Sequence, residues 1–456
     1  FFNKRPIDRT VATGKIDDST FYGGDRNFDD SDVRVTTGIF THKFSEDTQI
    51  HTTLRSGSYQ RAYWAKTPNA NAIPTEAMNI GGNQVRKLDY DTLALQSDFS
   101  TEFDLAGMKH KVVTGVEYLK EDLFRVALRN LGTAANPDYT QSQVTGTPIK
   151  FDADSYAFFA QDSIEFVPNW EVLVGLRRDK LKAEYSSVTA PELKYYETSY
   201  RTGLSWHQSP NSHYYVSWSD AFSPTADLYQ LTIIPQKPER SETIEVGAKW
   251  LFMDGDLSFR TALYQTTKDW ERNTDVEATS AVLTKKRRTD GLEFEVAGNI
   301  TDNWEVFGGL SFMDAKILEV AENYNAAGVL TVADARLKGE RARNTAPVTF
   351  NMWSTYKFAG NWKVGGGFES KAERYAYQPG QINASANFVN GKFKPNTAPG
   401  YTRWDAMLAY EAQKWAVRLN VKNIFDKVYY DSLYDNGGFT IPGNRRQAIV
   451  TTEFKF

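Results

Sequence analysis

Gln447-Ala448-Ile449-Val450-Thr451-Thr452-Glu453-Phe454-Lys455-Phe456, the ten residues that close the chain, alternate in character and end on an aromatic ring. Successive side chains of a strand point to opposite faces. Ala448, Val450, Thr452, Phe454 and Phe456 therefore share one face, while Gln447, Thr451, Glu453 and Lys455 share the other. Lipid on one side and a wet lumen on the other select this pattern in a transmembrane β-barrel. A soluble edge strand can alternate as well, so the barrel reading requires the pattern to recur along the chain.

Composition is compatible with it. The 456 residues would usually divide into several soluble domains, but a large barrel uses such a length in one sheet. No run of eighteen or more apolar residues exists, which excludes helical spans and says nothing against spanning strands. Cysteine is absent, so disulfides and thiol chemistry are excluded, and a net charge of -4 argues against a nucleic-acid partner. Aromatic residues make up 14% of a chain that is 41% hydrophobic, a ratio that favours girdles at two membrane interfaces. The opening Phe1-Phe2-Asn3-Lys4-Arg5-Pro6 lacks the basic start and apolar stretch of a signal peptide.

The pattern does recur. Short turns stand at Phe44 to Asp47, Leu105 to Gly107, Pro168-Asn169, Ser209 to Asn211, Asp254 to Asp256, Thr301 to Asn303, Ala359 to Asn361 and Glu411 to Lys414. Alternating segments flank each, and long polar connections separate one short turn from the next, as in a barrel with short periplasmic turns and long external loops. Trp304, Val306, Leu310 and Phe312 share one face, as do Trp415, Val417, Leu419 and Val421. Trp170, Trp304, Trp362 and Trp415 each stand just after a short turn, where an amphipathic indole suits the membrane interface. Counting segments gives about 17 strands of a barrel of about 22. Since bacterial barrels normally hold an even number, the expectation is a fragment whose first strands are missing. The first strand is expected from Arg34 to Phe44, dividing the chain into an external-loop remnant over 1–33 and barrel over 34–456.

Specific motifs narrow the reading. Val421-Lys422-Asn423-Ile424-Phe425-Asp426-Lys427-Val428-Tyr429-Tyr430, followed by Pro442-Gly443-Asn444-Arg445-Arg446, closely resembles the C-terminal end of TonB-dependent outer-membrane receptors. Phe159-Ala160-Gln161-Asp162, Gly175 to Asp179, Trp218 to Phe222, Lys237-Pro238-Glu239 with Ile244 to Lys249, and Asp290 to Glu293 resemble the same family in the same order. Phe21 to Arg26 and Thr289 to Gly298 are most similar to receptors for catecholate siderophores. Read from chemistry alone, Asn423 and Asp426 bond backbone groups where a strand leaves the membrane, and Gly175 and Gly247 let lumen groups approach. The resemblance implies an outer-membrane location, assembly by the barrel-assembly machinery with Phe454 and Phe456 as the terminal signal, and energy from TonB arriving only through an N-terminal plug. No plug is found in this sequence.

The resemblance also implies iron as a ferric-siderophore ligand, already chelated, with no cofactor bound directly by the protein. An anionic, flat-faced chelate calls for cations and aromatics on external loops and in the upper lumen. Candidates are Arg61, Tyr63 and Trp64; Arg86; Arg125 and Arg129; Lys286 and Arg288 within the run Lys285 to Arg288, of which alternation lets two face a ligand; Arg341 and Arg343; and Arg374, Tyr375 and Tyr377. The same cations could instead bind lipopolysaccharide phosphates or pair with loop acids. The five histidines show no metal-ligand spacing, and neither a G-x-S-x-G elbow nor a P-loop is present, so an enzyme is not expected. The alternatives are a passive porin-like channel and a receptor of the same family for haem, cobalamin or a glycan.

Overall fold

A computed structural model describes residues 26–65, 84–133, 136–186, 192–224, 237–272, 282–320, 322–324, 330–332, 335–377, 388–389, 391–433 and 440–455. Seventeen strands form one antiparallel sheet. They are β1 (Phe28–Lys43), β2 (Thr48–Ala65), β3 (Gln84–Leu105), β4 (Met108–Asn130), β5 (Tyr139–Val167), β6 (Trp170–Tyr185), β7 (Glu192–Ser209), β8 (Ser212–Ser223), β9 (Glu239–Phe252), β10 (Leu257–Arg272), β11 (Val282–Thr301), β12 (Trp304–Val320), β13 (Val348–Phe358), β14 (Trp362–Lys371), β15 (Tyr401–Glu411), β16 (Trp415–Lys422) and β17 (Gln447–Phe454). Each strand pairs with the one before and after it in sequence, the up-and-down order of a barrel wall. Among the described residues no ladder joins β17 to β1.

All eight short turns fall between paired strands as the sequence suggests. Ala106-Gly107, a two-residue hairpin loop, has positive φ at both residues, the backbone that lets such a loop follow the natural strand twist, and Ala359-Gly360 in the three-residue loop between Phe358 and Trp362 has positive φ at both as well. The first strand begins earlier than expected, at Phe28 and not at Arg34. Asp29 to Asp32 lack the alternation that marks a strand, yet their backbone pairs with Gln60 to Tyr63, and Arg61 grips Asp29 with two hydrogen bonds of 2.8 and 2.7 Å. The ladder and the ion pair override weak local propensity.

Directly paired residues share a face, so the registers fix which side chains point together. One face carries Val174, Leu176, Val246, Leu263 and Phe312, all exposed and apolar, and is the outer, lipid-facing side. The other carries Glu117, Arg177, Tyr215, Glu245, Arg260 and Glu293 and is the lumen. At the short-turn end the outer face bears a run of touching rings. Trp170 stacks on Trp206, Trp206 on Tyr214, Tyr214 meets Trp250, and Trp250 stacks on Phe259, with centroids 5.6 to 5.9 Å apart. Trp362 and Trp415 each pack against Tyr410. All four tryptophans singled out in the sequence stand in this belt with 36 to 41% of their surface exposed. Phe454 is exposed opposite Trp415, whereas Phe456 lies outside the described residues.

Lumen glycines face rings across the ladder. Gly115 lies opposite Phe159, Gly247 opposite Tyr215 and Gly291 opposite Tyr264. A Cβ added at Gly247 or Gly291 would fall within the opposing ring, so glycine is what lets the ring lie flat on the wall. Gly175 admits Arg201 in the same way, with a Cβ there reaching 3.0 Å from Arg201 Cγ. The close approach expected at Gly175 and Gly247 is therefore present.

Candidate functional site

Lumen-facing cations and tyrosines converge at the long-connection end of β2 to β4. Arg61 lies opposite Leu88 and Leu88 opposite Arg125, while Tyr63 lies opposite Arg86. The Arg61 guanidinium carbon stands 4.7 Å from the centre of the Tyr63 ring, a cation–π contact that holds the fork toward the lumen while Asp29 fixes its other edge. One register step deeper, Tyr59, Tyr90, Leu123, Phe151 and Tyr185 follow one another across five strands. Tyr59 and Tyr90 are 5.9 Å apart and Phe151 and Tyr185 5.1 Å. Tyr90 donates its hydroxyl to Glu121. Leu123, Phe151, Leu181, Tyr185, Leu193 and Tyr195 form a buried cluster on the same lumen face. The result is a row of arginines above an aromatic floor, suited to an anionic ligand with flat faces.

The tyrosines of this floor are absent from the sequence-based candidates. Their signal was nonetheless present. Tyr59, Arg61 and Tyr63 share strand parity, as do Arg86, Leu88 and Tyr90. Among the other candidates near this region, Trp64 is on the outer face of β2, 3% exposed and 5.0 Å from Tyr139. Arg129 is exposed near the end of β4.

A second group of candidates is engaged in holding the protein together. Beyond β12, residues 339–342 pair with Ala315 and Ile317, and Arg374–Ala376 pairs with Asn396–Ala398. Arg374, 6% exposed, donates to the backbone carbonyls of Asp431 at 2.7 Å and Tyr430 at 2.6 Å. The Arg341 guanidinium lies 3.4 Å over the centre of the Tyr375 ring, and its Nη2 meets Glu373. Tyr377, packed with Ile317, Leu337 and Phe388, donates to the Arg341 carbonyl at 2.8 Å, and burial pushes its phenol pKa up so that it stays a donor. Arg343 is also buried. These side chains join the segments that extend the wall above β12 to β16.

The run Lys285 to Arg288 divides as alternation requires, but in the opposite sense from the pair chosen. Lys286 and Arg288 share parity with Leu292, Phe294 and Val296 and face outward, where Lys286 lies 3.8 Å from Asp269 and Arg288 3.0 Å from Asp290. Arg287 faces Glu271 at 2.7 Å, and Glu271 also accepts from Thr284 at 2.8 Å. Trp270, with φ of 57°, breaks the regular ladder and turns Glu271 toward this contact.

The C-terminal motif is a backbone clasp. Asn423, 1% exposed, donates to the carbonyls of Lys427 at 2.9 Å and Asn444 at 3.0 Å and accepts from the Lys427 N–H at 2.9 Å. Asp426 accepts from the Arg446 N–H at 2.9 Å and from Arg445 Nη2 at 2.6 Å, and these bonds pull its carboxyl down to about 2. Both residues have φ of 52°, which Asn and Asp tolerate better than most side chains. The Phe21-to-Arg26 motif, apart from Arg26, lies outside the described residues.

Comparison with known proteins supplies the context for this geometry. The family described as TonB dependent receptor-like, beta-barrel matches residues 2–424. The probable TonB-dependent receptor BfrD of Bordetella pertussis is 29% identical over 330 residues, covering 68% of this chain and 42% of that protein. The catecholate siderophore receptor Fiu of Escherichia coli is 24% identical over 97% of this chain and 62% of its own length. The crystal structure of the siderophore receptor PiuA from Acinetobacter baumannii superposes with a TM-score of 0.79 at 20% identity, over 95% of this chain and 65% of that one. This chain thus spans about two fifths to two thirds of the length of the relatives it matches. The match over nearly the whole chain, together with the up-and-down wall, belt and clasp, makes this chain a member of the TonB-dependent receptor β-barrel family of the outer membrane.

Proposed function

We propose that this barrel takes part in ferric-siderophore uptake and binds an anionic iron chelate, of catecholate type, in its upper lumen. The observation that carries this reading is the group of Arg61, Arg86 and Arg125, with Tyr63 beside Arg86, over Tyr59 and Tyr90 on one lumen face. Catecholate oxygens bound to iron carry net negative charge and present to guanidinium forks, while catechol rings stack on tyrosine. Iron stays inside its chelate, and the side chains recognise the complex. The naming of Fiu as a catecholate siderophore receptor, and of PiuA as a siderophore receptor, supports the ligand class. Arg341, Arg374 and Tyr377, which are engaged in bonds to backbone carbonyls, and Tyr375, whose ring lies under the Arg341 guanidinium, would then serve by shaping the rim.

In this reading coupling to TonB runs through a plug, proposed to correspond to relatives' sequence outside the matched region. The outer-membrane lipid and the assembly machinery are the other partners. Titration of the intact receptor with ferric catecholates, followed by quenching of intrinsic fluorescence, tests the ligand class. Saturable binding in the sub-micromolar range is expected, on the order of -8 kcal/mol or tighter. Absence of binding across several catecholates, with binding of haem, cobalamin or a glycan instead, would overturn the ligand while leaving the family intact.

A further inference from the structure

We propose that His207 and His213 form a binding site for a borderline divalent transition-metal ion, of the copper(II) or zinc kind, on the lumen face beside the short turn between β7 and β8. The site does not rest on the identity of the ligand proposed above. Trp206 and Tyr214 stack on the outer face, so His207 and His213, their neighbours along the chain, point into the lumen. In sequence the two histidines are six positions apart, a spacing that carries no metal signal. The turn at Ser209 to Asn211 folds them directly opposite each other.

The backbone brings the two rings close. His207 gives its N–H to the Asn169 carbonyl at 2.8 Å, away from β8, so the histidines are a non-hydrogen-bonded cross-strand pair, the kind whose side chains approach most closely. Their rings are parallel to within 2°, with centres 4.4 Å apart. The Tyr215 ring, 5.9 Å from His213, borders the pair along the same face. His207 is exposed, whereas His213 Nε2 has neither a hydrogen-bond partner nor contact with solvent. A buried ring nitrogen left unpaired is costly, and an ion shared by the two rings satisfies it.

Among the described residues no other two imidazoles are in ring contact. The remaining histidines are committed elsewhere: His110 Nδ1 meets Asp162 at 2.7 Å, His51 Nδ1 meets Thr41 Oγ1 at 2.8 Å, and the His42 ring packs edge-on against Phe44. Imidazole nitrogen suits copper, zinc and nickel, whereas calcium and magnesium take oxygen donors. Metal–nitrogen bonds of about 2.0–2.1 Å bridge nitrogens up to about 4.2 Å apart, a span that these two rings reach by tilting their edges together. Among the described residues no third histidine or carboxylate completes the group, so water fills the other positions on the ion. Two charged side chains face the pair, Glu171 opposite Ser205 and Lys249 opposite His213. Their charges oppose each other, which leaves the imidazoles to set the affinity. The site stands at the short-turn end of the lumen, away from the arginines at the long-connection end of β2 to β4.

Titration of copper(II) into the intact, untagged receptor in detergent at neutral pH, followed by electron paramagnetic resonance, tests the assignment. The wild type is expected to hold one copper ion with a micromolar dissociation constant and to show hyperfine coupling to two nitrogens. His207→Ala, at an exposed position, should weaken binding at least about tenfold and remove one nitrogen from the spectrum. His42→Ala with His110→Ala, which removes two histidines away from the site, should leave affinity and spectrum unchanged. Heat-modifiable gel migration reports that each variant is folded. Coupling to a single nitrogen in the wild type, wild-type affinity in His207→Ala, or an equal loss in the His42→Ala and His110→Ala control would overturn the site. Displacement of copper by equimolar magnesium would also overturn it, by making the occupant a hard cation.

Discussion

Asn423 connects three backbone groups of the clasp through one side-chain amide. Asn423→Ala would leave two carbonyls and one N–H without that partner and place alanine at positive φ. A loss of about 2–4 kcal/mol is expected, read as a fall in the urea midpoint for unfolding from lipid vesicles. An unchanged midpoint would show that water replaces the amide. Asp426 gives a pH signature. Its folded carboxyl is depressed to about 2 by Arg445 and the Arg446 N–H, so its contribution is fully present above the unfolded value near 4 and is lost as pH falls through the folded value. Asp426→Asn should therefore lower the thermal midpoint at neutral pH, and the two proteins should converge as pH approaches about 2. A constant difference across that window would contradict the assignment. The bonding of both residues to backbone was readable from residue type and place. Arg374 was not, because an arginine that donates to carbonyls and one that awaits a ligand look alike until its partners are known.

Elements were more legible than faces. Two-residue turns with alternating flanks leave few other pairings, so hairpins could be read locally. The start of β1 could not, since Asp29 to Asp32 become strand through pairing with Gln60 to Tyr63 and through Arg61. Parity counted back from Leu292 and Phe294 would have sent Lys286 and Arg288 outward, whereas the break at Trp270 that brings Glu271 to Arg287 has no sequence signal of its own. Glycine–tyrosine pairs supply a test of the wall itself. Gly247→Val would force Tyr215 off β9 and strain its 2.6 Å hydrogen bond to Glu245. Overpacking of this kind is expected to cost about 1–3 kcal/mol, visible as a lower unfolding midpoint in vesicles. Retention of the wild-type midpoint would mean that the ring repacks freely.

Across the molecule the two faces of one sheet carry different tasks. The outer face bears the aromatic belt and apolar band, and the lumen bears charged and aromatic side chains whose arrangement depends on residues spread over five strands. Motif order pointed to the family, but the binding row could not be assembled from sequence alone, because Arg61, Leu88 and Arg125 meet only through the registers of three strands. The most direct test is a ferric-catecholate titration of Arg61→Ala, Arg86→Ala and Arg125→Ala combined, compared with Lys286→Ala and Arg288→Ala combined. Loss of charge-assisted contacts should weaken binding by at least about 100-fold in the first variant and leave it within about twofold of wild type in the second. Equal weakening in both, or unchanged affinity in the lumen variant, would contradict a binding site on the β2 to β4 lumen face.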